Sequence, residues 1–341
     1  MRLAIVHNAV TDQSAPDERD VLVQADAVRT ALKKLGHETV LLPCTLDLAT
    51  VQERLNAIQP DIVFNLVESL NGQGRLIHLL PALLDAMAMP YTGADTQALY
   101  FTSNKILAKR QMAQEDLPTP PWIGPCPPDM AALANPILPG PSLASRERKI
   151  RWLVKSVWEH ASVGLDEAEL ILSESVEQVR NLLPQQAPRL GGSCFAEAYI
   201  EGREFNLSLL AGPHGPQVLA PAEILFEDYP EDKLRIVGYR AKWATESYEY
   251  NHTPRRFDFP PQDAPLLQML EKLAKRCWQV FGLAGYVRVD FRIDLNGRPW
   301  ILEINTNPCL SPDAGFAAAL KQSGLSYTEA ISRIVTAARK K

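Results

Sequence analysis

The stretch from Tyr286 to Pro308 constrains this chain more than any other. It reads as two alternating runs joined by Asn296-Gly297. Asn-Gly between such runs predicts a two-residue type I′ turn, because both residues tolerate positive φ. Counting outward from that turn sets Leu295 opposite Arg298, Phe291 opposite Leu302, Asp290 opposite Glu303 and Arg288 opposite Asn305. Side chains alternate along a strand. Arg288, Asp290, Glu303 and Asn305 are therefore expected on one face, and Val287, Val289, Phe291, Leu302 and Ile304 on the other. Two carboxylates directly opposite each other repel unless something cationic sits between them. Oxygen ligands of this kind suit Mg²⁺, which binds through a few carboxylates plus substrate phosphates. A merely solvated hairpin does not explain why the acids are paired rather than interleaved with lysines. Nor does it explain the polar tract Asn305-Thr-Asn-Pro308 that ends the second strand.

Hydrophobic residues make up 46% of the 341 and charged residues 22%, an ordinary globular balance. The length predicts two or three domains rather than one core. The net charge of −5 argues against a nucleic-acid partner, whose footprint would be basic. No apolar run approaches the roughly 20 residues of a membrane span. The start, Met1-Arg-Leu-Ala-Ile-Val-His7, lacks the apolar region and cleavage site of a signal peptide. Cys44, Cys126, Cys194, Cys277 and Cys309 are scattered and never spaced as C-x-x-C. They read as reduced thiols in a cytoplasmic protein, with neither a zinc site nor a disulfide framework.

Residues 3–7 form an apolar run, as in a buried parallel strand. A helix is expected from about Asp17, with Val21, Ala25, Val28, Leu32 and Leu35 at helical spacing and Gly36 ending it. A strand over 37–42, a helix over about 49–59 and a strand over 61–67 follow. This alternation implies parallel strands with right-handed crossovers, a Rossmann-like sheet. The turn after the first strand has no G-x-G-x-x-G, so it is not read as a dinucleotide site. A helix is expected over about 104–115. The proline-rich connector from Leu117 to Pro141 can continue neither a helix nor a central strand. A new domain starts at Lys149, and residues 261–281 form an amphipathic helix leading into the hairpin.

Trp152-Leu-Val-Lys155 ends a strand in a lysine, beside the polar loop Glu159-His-Ala-Ser-Val-Gly164. A lysine can hold phosphate by charge and such a loop by its backbone N–H groups. Taken alone, a solvated surface lysine is the commoner meaning.

The pattern R-x-D, a short hairpin, then L-E-x-N-T-x-P resembles the C-terminal signature of D-alanine–D-alanine ligases, within the ATP-grasp superfamily. The resemblance implies an α/β ATP-grasp fold: an N-terminal Rossmann-like (pre-ATP-grasp) domain over residues 1–97, and two α+β lobes, 98–198 and 199–341, sandwiching ATP. It places two Mg²⁺ ions, for which Mn²⁺ can substitute, on Asp290, Glu303 and Asn305. Arg288 falls where that family stabilises the oxyanion of an acyl phosphate. The segment Lys155 to Gly164, with Ser162, is similar to the family's phosphate loop, and Lys105 in Thr102-Ser-Asn-Lys105 matches an earlier phosphate lysine. Phe195-Ala-Glu-Ala-Tyr-Ile-Glu-Gly-Arg-Glu204 resembles its adenine hinge. Glu197 would meet the adenine amino group, the backbone near Tyr199 and Ile200 the ring edge, and Glu204 the ribose. Lys242 in Arg240-Ala-Lys-Trp243 matches a lysine that reaches the γ-phosphate. Without the resemblance, Glu197 to Glu204 reads as a charged edge strand and Lys242 as a solvated lysine.

The chain departs from that family where it holds its two D-alanines. Glu68-Ser69 stands for His-Gly, Ala161 for a serine, Cys309 for a glycine, and Ser311-Pro-Asp-Ala314 lacks a clear carboxylate-gripping serine. Asp17, Glu18 or Asp20, in the first loop, could replace lost contacts. Glu68 and Cys309 are the candidate substrate residues. The expectation is an ADP-forming carboxylate–amine ligase acting on small-molecule carboxylate and amine substrates other than D-alanine. No nucleic acid or membrane partner is expected, and a homodimer is compatible with it. An ATP-grasp kinase and a non-catalytic nucleotide-binding module are the alternatives.

Overall fold

The computed structural model describes residues 1–126, 150–158, 170–173 and 175–338. The first sheet is parallel, in the order β2-β1-β3, from β1 (Arg2–Asn8), β2 (Glu38–Cys44) and β3 (Ile62–Leu66). The crossovers are α1 (Pro16–Lys34) and α2 (Leu48–Ile58), as the alternation predicts. Both faces of β1 are buried. Leu3 and Ile5 pack toward Val28 and Leu32 of α1, while Ala4 and Val6 pack toward Val51 and Leu55 of α2. Helices α3 (Leu79–Ala86), α4 (Thr96–Ser103) and α5 (Lys105–Gln114) follow. Asn104 caps α5 by accepting from the N–H groups of Ile106 and Leu107 at 3.0 Å.

The second sheet is antiparallel, in the order β4-β7-β5-β6. It comprises β4 (Trp122–Cys126), β5 (Ile150–Ser156), β6 (Leu170–Ser173) and, after α6 (Val176–Gln186), β7 (Cys194–Ala198). The proline-bearing β4 sits at the edge, where a missing N–H is tolerated. Val179 and Leu183 of α6 cover one face.

The third sheet holds β8 (Gly202–Gly212), β9 (Gly215–Val218) and β10 (Ala222–Ile224). An excursion carrying α7 (Tyr239–Trp243) and α8 (Tyr248–Asn251) leads to β11 (Arg255–Arg256). Helix α9 (Ala264–Val280) then precedes β12 (Tyr286–Asp294) and β13 (Pro299–Asn305). The order is β11-β10-β8-β12-β13, with β9 on β8. Its apolar face packs against α9 and also against Ala98, Leu99, Ala108 and Met112 of α4 and α5. The chain ends with α10 (Gly315–Gln322) and α11 (Tyr327–Ala338), whose Phe316, Ile331 and Ile334 return to the core of the first sheet.

The hairpin differs from its expected form in two compensating ways. Its tip has three residues, not two. The Gly297 N–H donates to the Asp294 carbonyl at 2.9 Å, and Gly297 has φ +78° while Asn296 has no positive φ. That is a turn closed by a glycine bulge rather than a type I′ turn. The cause is Asp294, whose carboxylate accepts from the N–H groups of Asn296 and Arg298 at 2.9 and 3.0 Å. Aspartate at the first position favours a type I turn in this way. Phe291 consequently faces Ile301 rather than Leu302. A bulge between Asp290 and Phe291 then restores the pairings Asp290 with Glu303 and Arg288 with Asn305. Leu302 is the extra residue. It leaves the apolar face, where Ile301 takes its place, and lines a cavity on the other side.

Candidate active site

Side chains of directly paired residues point to the same face of a sheet. Strands β8, β12 and β13 therefore build a polar grid. Ser208, Arg288 and Asn305 form one row, Asn206, Asp290 and Glu303 the next, and Glu204 with Arg292 the third. Arg288 grips Asp290 through Nε and Nη2, each at 2.8 Å, and its Nη2 lies 4.0 Å from Glu303. Asn206 donates to Asp290 at 2.7 Å. Burial opposes ionisation of Glu303. The cations Lys242, Lys105, Arg288 and Lys155 outweigh it and hold its carboxyl down to about 2.

Arg292 ties the hinge between the second and third sheets to this grid. It donates to the Ile200 carbonyl at 2.9 Å, the Tyr199 hydroxyl at 3.1 Å, the Glu204 carboxylate at 3.1 Å and the Arg235 carbonyl at 2.8 Å. The hinge turns at Gly202, with φ +140°. A Cβ there would lie 1.9 Å from the Ile293 carbonyl oxygen, so only glycine fits.

On β7, Glu197 is 2% exposed and sits between two lysines. Lys155 bonds one carboxylate oxygen and Lys109 reaches the other at 2.6 Å. Burial alone would raise the Glu197 pKa, but the two lysines bring it below the usual carboxylate range. Lys109, 1% exposed, also donates to Thr119 and to the Pro120 carbonyl at 2.7 and 2.9 Å.

Helix α1 supplies the far wall. Asp17 and Asp20 lie in its first turns rather than in a loop. Asp20 accepts from Ser311 at 2.9 Å and from the Cys309 thiol at 3.0 Å. Gln24 donates to Glu68 at 2.8 Å and accepts from the Leu310 N–H at 2.9 Å. Burial, then the charges of Glu68 and Asp20, keep the Cys309 thiol protonated. From the excursion, the Tyr239 hydroxyl donates to Asp17 at 2.9 Å and so spans the first and third sheets.

One cavity of about 570 Å³ gathers Lys105, Lys155, Glu197, Tyr199, Ile200 and Glu204. Lys242, Arg288, Asp290, Glu303 and Cys309 line it too. Burial, opposed by Glu303, lowers the Lys242 pKa. Asn305 does not line the cavity, and its side-chain oxygen accepts from the Asn307 N–H at 3.1 Å. Glu68 lies behind the wall, joined to it through Gln24. Ser162 and Ala161 lie outside the described residues. Reasoning from sequence missed Lys109, Arg292 and Gln24 as site residues, and raised Asp20 only as a replacement for lost contacts. Arg292 carried a signal: it alternates with Arg288 and Asp290 and so shares their face.

Among the described residues, no three His, Cys, Asp or Glu side chains form a self-sufficient metal centre. Two carboxylates with an amide oxygen nearby fit instead a Mg²⁺ that completes its shell with phosphate oxygens. Nor is any described helix long and apolar enough to cross a membrane.

A hinge, a lysine-lined cavity and a paired-acid hairpin between two antiparallel sheets are the architecture of an ATP-grasp ligase. A family model described as D-ala D-ala ligase C-terminus matches residues 139–336. That is more than half of the chain, which belongs to this family. It is 28% identical over 346 residues to a D-alanine–D-alanine ligase of Gloeobacter violaceus, covering 98% of each. It is 27% identical to an uncharacterized protein of Sinorhizobium fredii over 93% of this chain and 88% of that one. The crystal structure of a D-alanine–D-alanine ligase from Bacillus anthracis complexed with ATP shares the fold, with a TM-score of 0.72 at 17% identity. That match covers 100% of this chain and 98% of the other.

Proposed function

We propose that this ATP-grasp ligase joins a small amino-acid-like carboxylate to an amine, forming ADP, and that its substrate is not D-alanine. The observation that carries the reaction class is the pairing of Asp290 with Glu303 beside Arg288, in one cavity with Lys105, Lys155 and Lys242. A carboxylate oxygen attacks the γ-phosphorus of ATP and ADP leaves. The amine then attacks the acyl carbon, phosphate departs, and the nitrogen loses a proton. Positioning and charge do most of such work.

Tyr199, Ile200 and Glu204 would take the adenosine, held in place by Arg292. Lys105, Lys155 and Ser162 would take the phosphates and Lys242 the γ-phosphate. Glu197, with both oxygens on lysines, aims Lys155 as well as meeting the base. Asp290, Glu303 and Asn305 would hold Mg²⁺, which neutralises the triphosphate. Asn305 can do so while accepting from Asn307, because a carbonyl oxygen has two lone pairs. The bidentate grip of Arg288 on Asp290 fixes its guanidinium beside the reacting carbonyl.

The wall around Cys309 supports a substrate other than D-alanine. Asp20, Ser311 and Gln24 build it and the thiol adds bulk. The test is an ADP-release screen over pairs of amino acids and small carboxylates, with mass detection of the product. Amide formation supports the ligase. A stable phosphorylated product without an acceptor would make it a kinase. Robust D-alanyl-D-alanine formation would overturn the substrate reading.

A further inference from the structure

Strand β11 is only Arg255-Arg256, and its two side chains part company. Arg256 pairs with Glu223 and Arg255 with Ile224 across the β10 edge. Alternation sends them to opposite faces. Arg256 bonds the Glu223 carboxylate, in a network with Arg203 and Asp263. That face is electrically balanced by two acids against two arginines. Arg255 goes to the other face and lines the cavity, as does Ile224.

There it makes no ion pair among the described residues, and the Asp313 charge acts on it only from a distance. Its hydrogen bond there is a long one, 3.4 Å from Nη1 to the Asp313 carbonyl. The guanidinium lies against the start of α10, since a Cβ on Gly315 would be 3.5 Å from its Nε. Arg255 is exposed to solvent on one side; desolvation of its inner side, then the Arg288 charge, lower its pKa against the opposing charges of Tyr250, Asp313 and Cys309. Arg288 spends its fork on Asp290. Two guanidinium groups at one end of a cavity repel unless an anion comes between them. Lys105, Lys155 and Lys242 act on Glu303, whereas the cation acting most on Arg255 is Arg288. An arginine fork matches a carboxylate in geometry as well as charge.

We infer that Arg255 is a specificity residue that binds a substrate carboxylate other than the one being activated. The substrates then include an amino acid or dicarboxylate with a second, free acid group. This deepens the ligase reading and rests on it for the word substrate.

The test measures binding, so it reads without turnover. Protein saturated with Mg²⁺ and the non-hydrolysable analogue AMP-PNP is titrated calorimetrically with aspartate, glutamate, alanine and glycine, as free acids and as carboxamides. Wild type should prefer the acid form of at least one by about 10- to 100-fold. Arg255→Met should bring that ratio close to one, and Arg255→Lys should restore part of it. AMP-PNP affinity and the unfolding midpoint should not move. An equal affinity for acid and amide in wild type overturns the assignment. So does an unchanged ratio in Arg255→Met. A parallel loss of AMP-PNP affinity would make Arg255 a phosphate contact instead. If no pair of compounds yields ADP and amide while the ratio still depends on Arg255, the ligase reading fails and the carboxylate site stands.

Discussion

Replacing Lys109 by Met removes one of the two cations on Glu197 and little else. Methionine conserves the volume, so no cavity term is added. The ammonium lost makes an ion pair of 2.6 Å and bonds of 2.7 and 2.9 Å to Thr119 and Pro120. What remains is a carboxylate only 2% exposed, with Lys155 as its one cation. Breaking a buried pair from one side costs about 3–5 kcal/mol, because the other charge stays buried. The retained Lys155 puts this case near the lower end, about 3 kcal/mol. With a urea m-value of about 3 kcal/mol/M, the unfolding midpoint should fall by about 1 M. Tryptophan fluorescence is a direct reporter, since the Lys109 ammonium lies 5.3 Å from the centre of the Trp122 ring. Adding Glu197→Gln should recover most of the loss, because a neutral amide does not need the cation. A midpoint within about 0.2 M of wild type would refute the argument. So would strictly additive losses in the double variant.

Glu303→Gln should abolish Mg²⁺-dependent ADP release while circular dichroism shows an intact fold; unchanged release would reject the metal assignment. Glu68→Gln tests a pH effect. Burial raises the Glu68 pKa from 4.5 to about 7, against the bond from Gln24 and with the charges of Asp20 and Asp17. The unfolded chain ionises first, so this group's contribution falls as pH rises from 4.5 to about 7 and is then level. The glutamine variant should lack that fall and be more stable by about 1–2 kcal/mol at about pH 8, after allowing for partial solvation; parallel pH profiles would contradict this. Gly202→Ala should lower stability by about 2–4 kcal/mol and weaken binding of AMP-PNP, read by thermal midpoint and calorimetry, because its Cβ has no room at the Ile293 carbonyl.

The first sheet was legible because β1, β2 and β3 are short apolar runs separated by periodic helices. The acid pair was legible because alternation fixes faces once a hairpin is recognised. What failed was the count through the tip. Asp294 competes for the turn's N–H groups, a side-chain effect that a two-residue template omits. The error shifted every pairing from Arg298 to Leu302, so that Arg298 faces Asp294 rather than Leu295, and stopped there, because β8 pins Asp290 from its other side. Lys109 was not legible as a site residue. Its helix also carries Lys105 and Arg110, among which it reads as one more solvated cation, and only the arrival of Glu197, 88 residues later, explains a buried ammonium. Arg255 was hidden for the same reason, since its neighbour's counterion, Glu223, comes from β10 and is shared with Arg203 of β8.

The return of α10 and α11 to the first sheet sets an order on synthesis. A ribosome releases β1, α1 and β3 first, yet Leu3, Ile5 and Phe64 share their core with Phe316, Ile331 and Ile334. One side of the earliest sheet, covered only in part by α1, is therefore completed when the last helices emerge. The second sheet with α6 is local in sequence and can close sooner. The face of the first sheet toward α10 and α11 is thus the part of this core that depends on the most distant residues, while its α2 face is local in sequence.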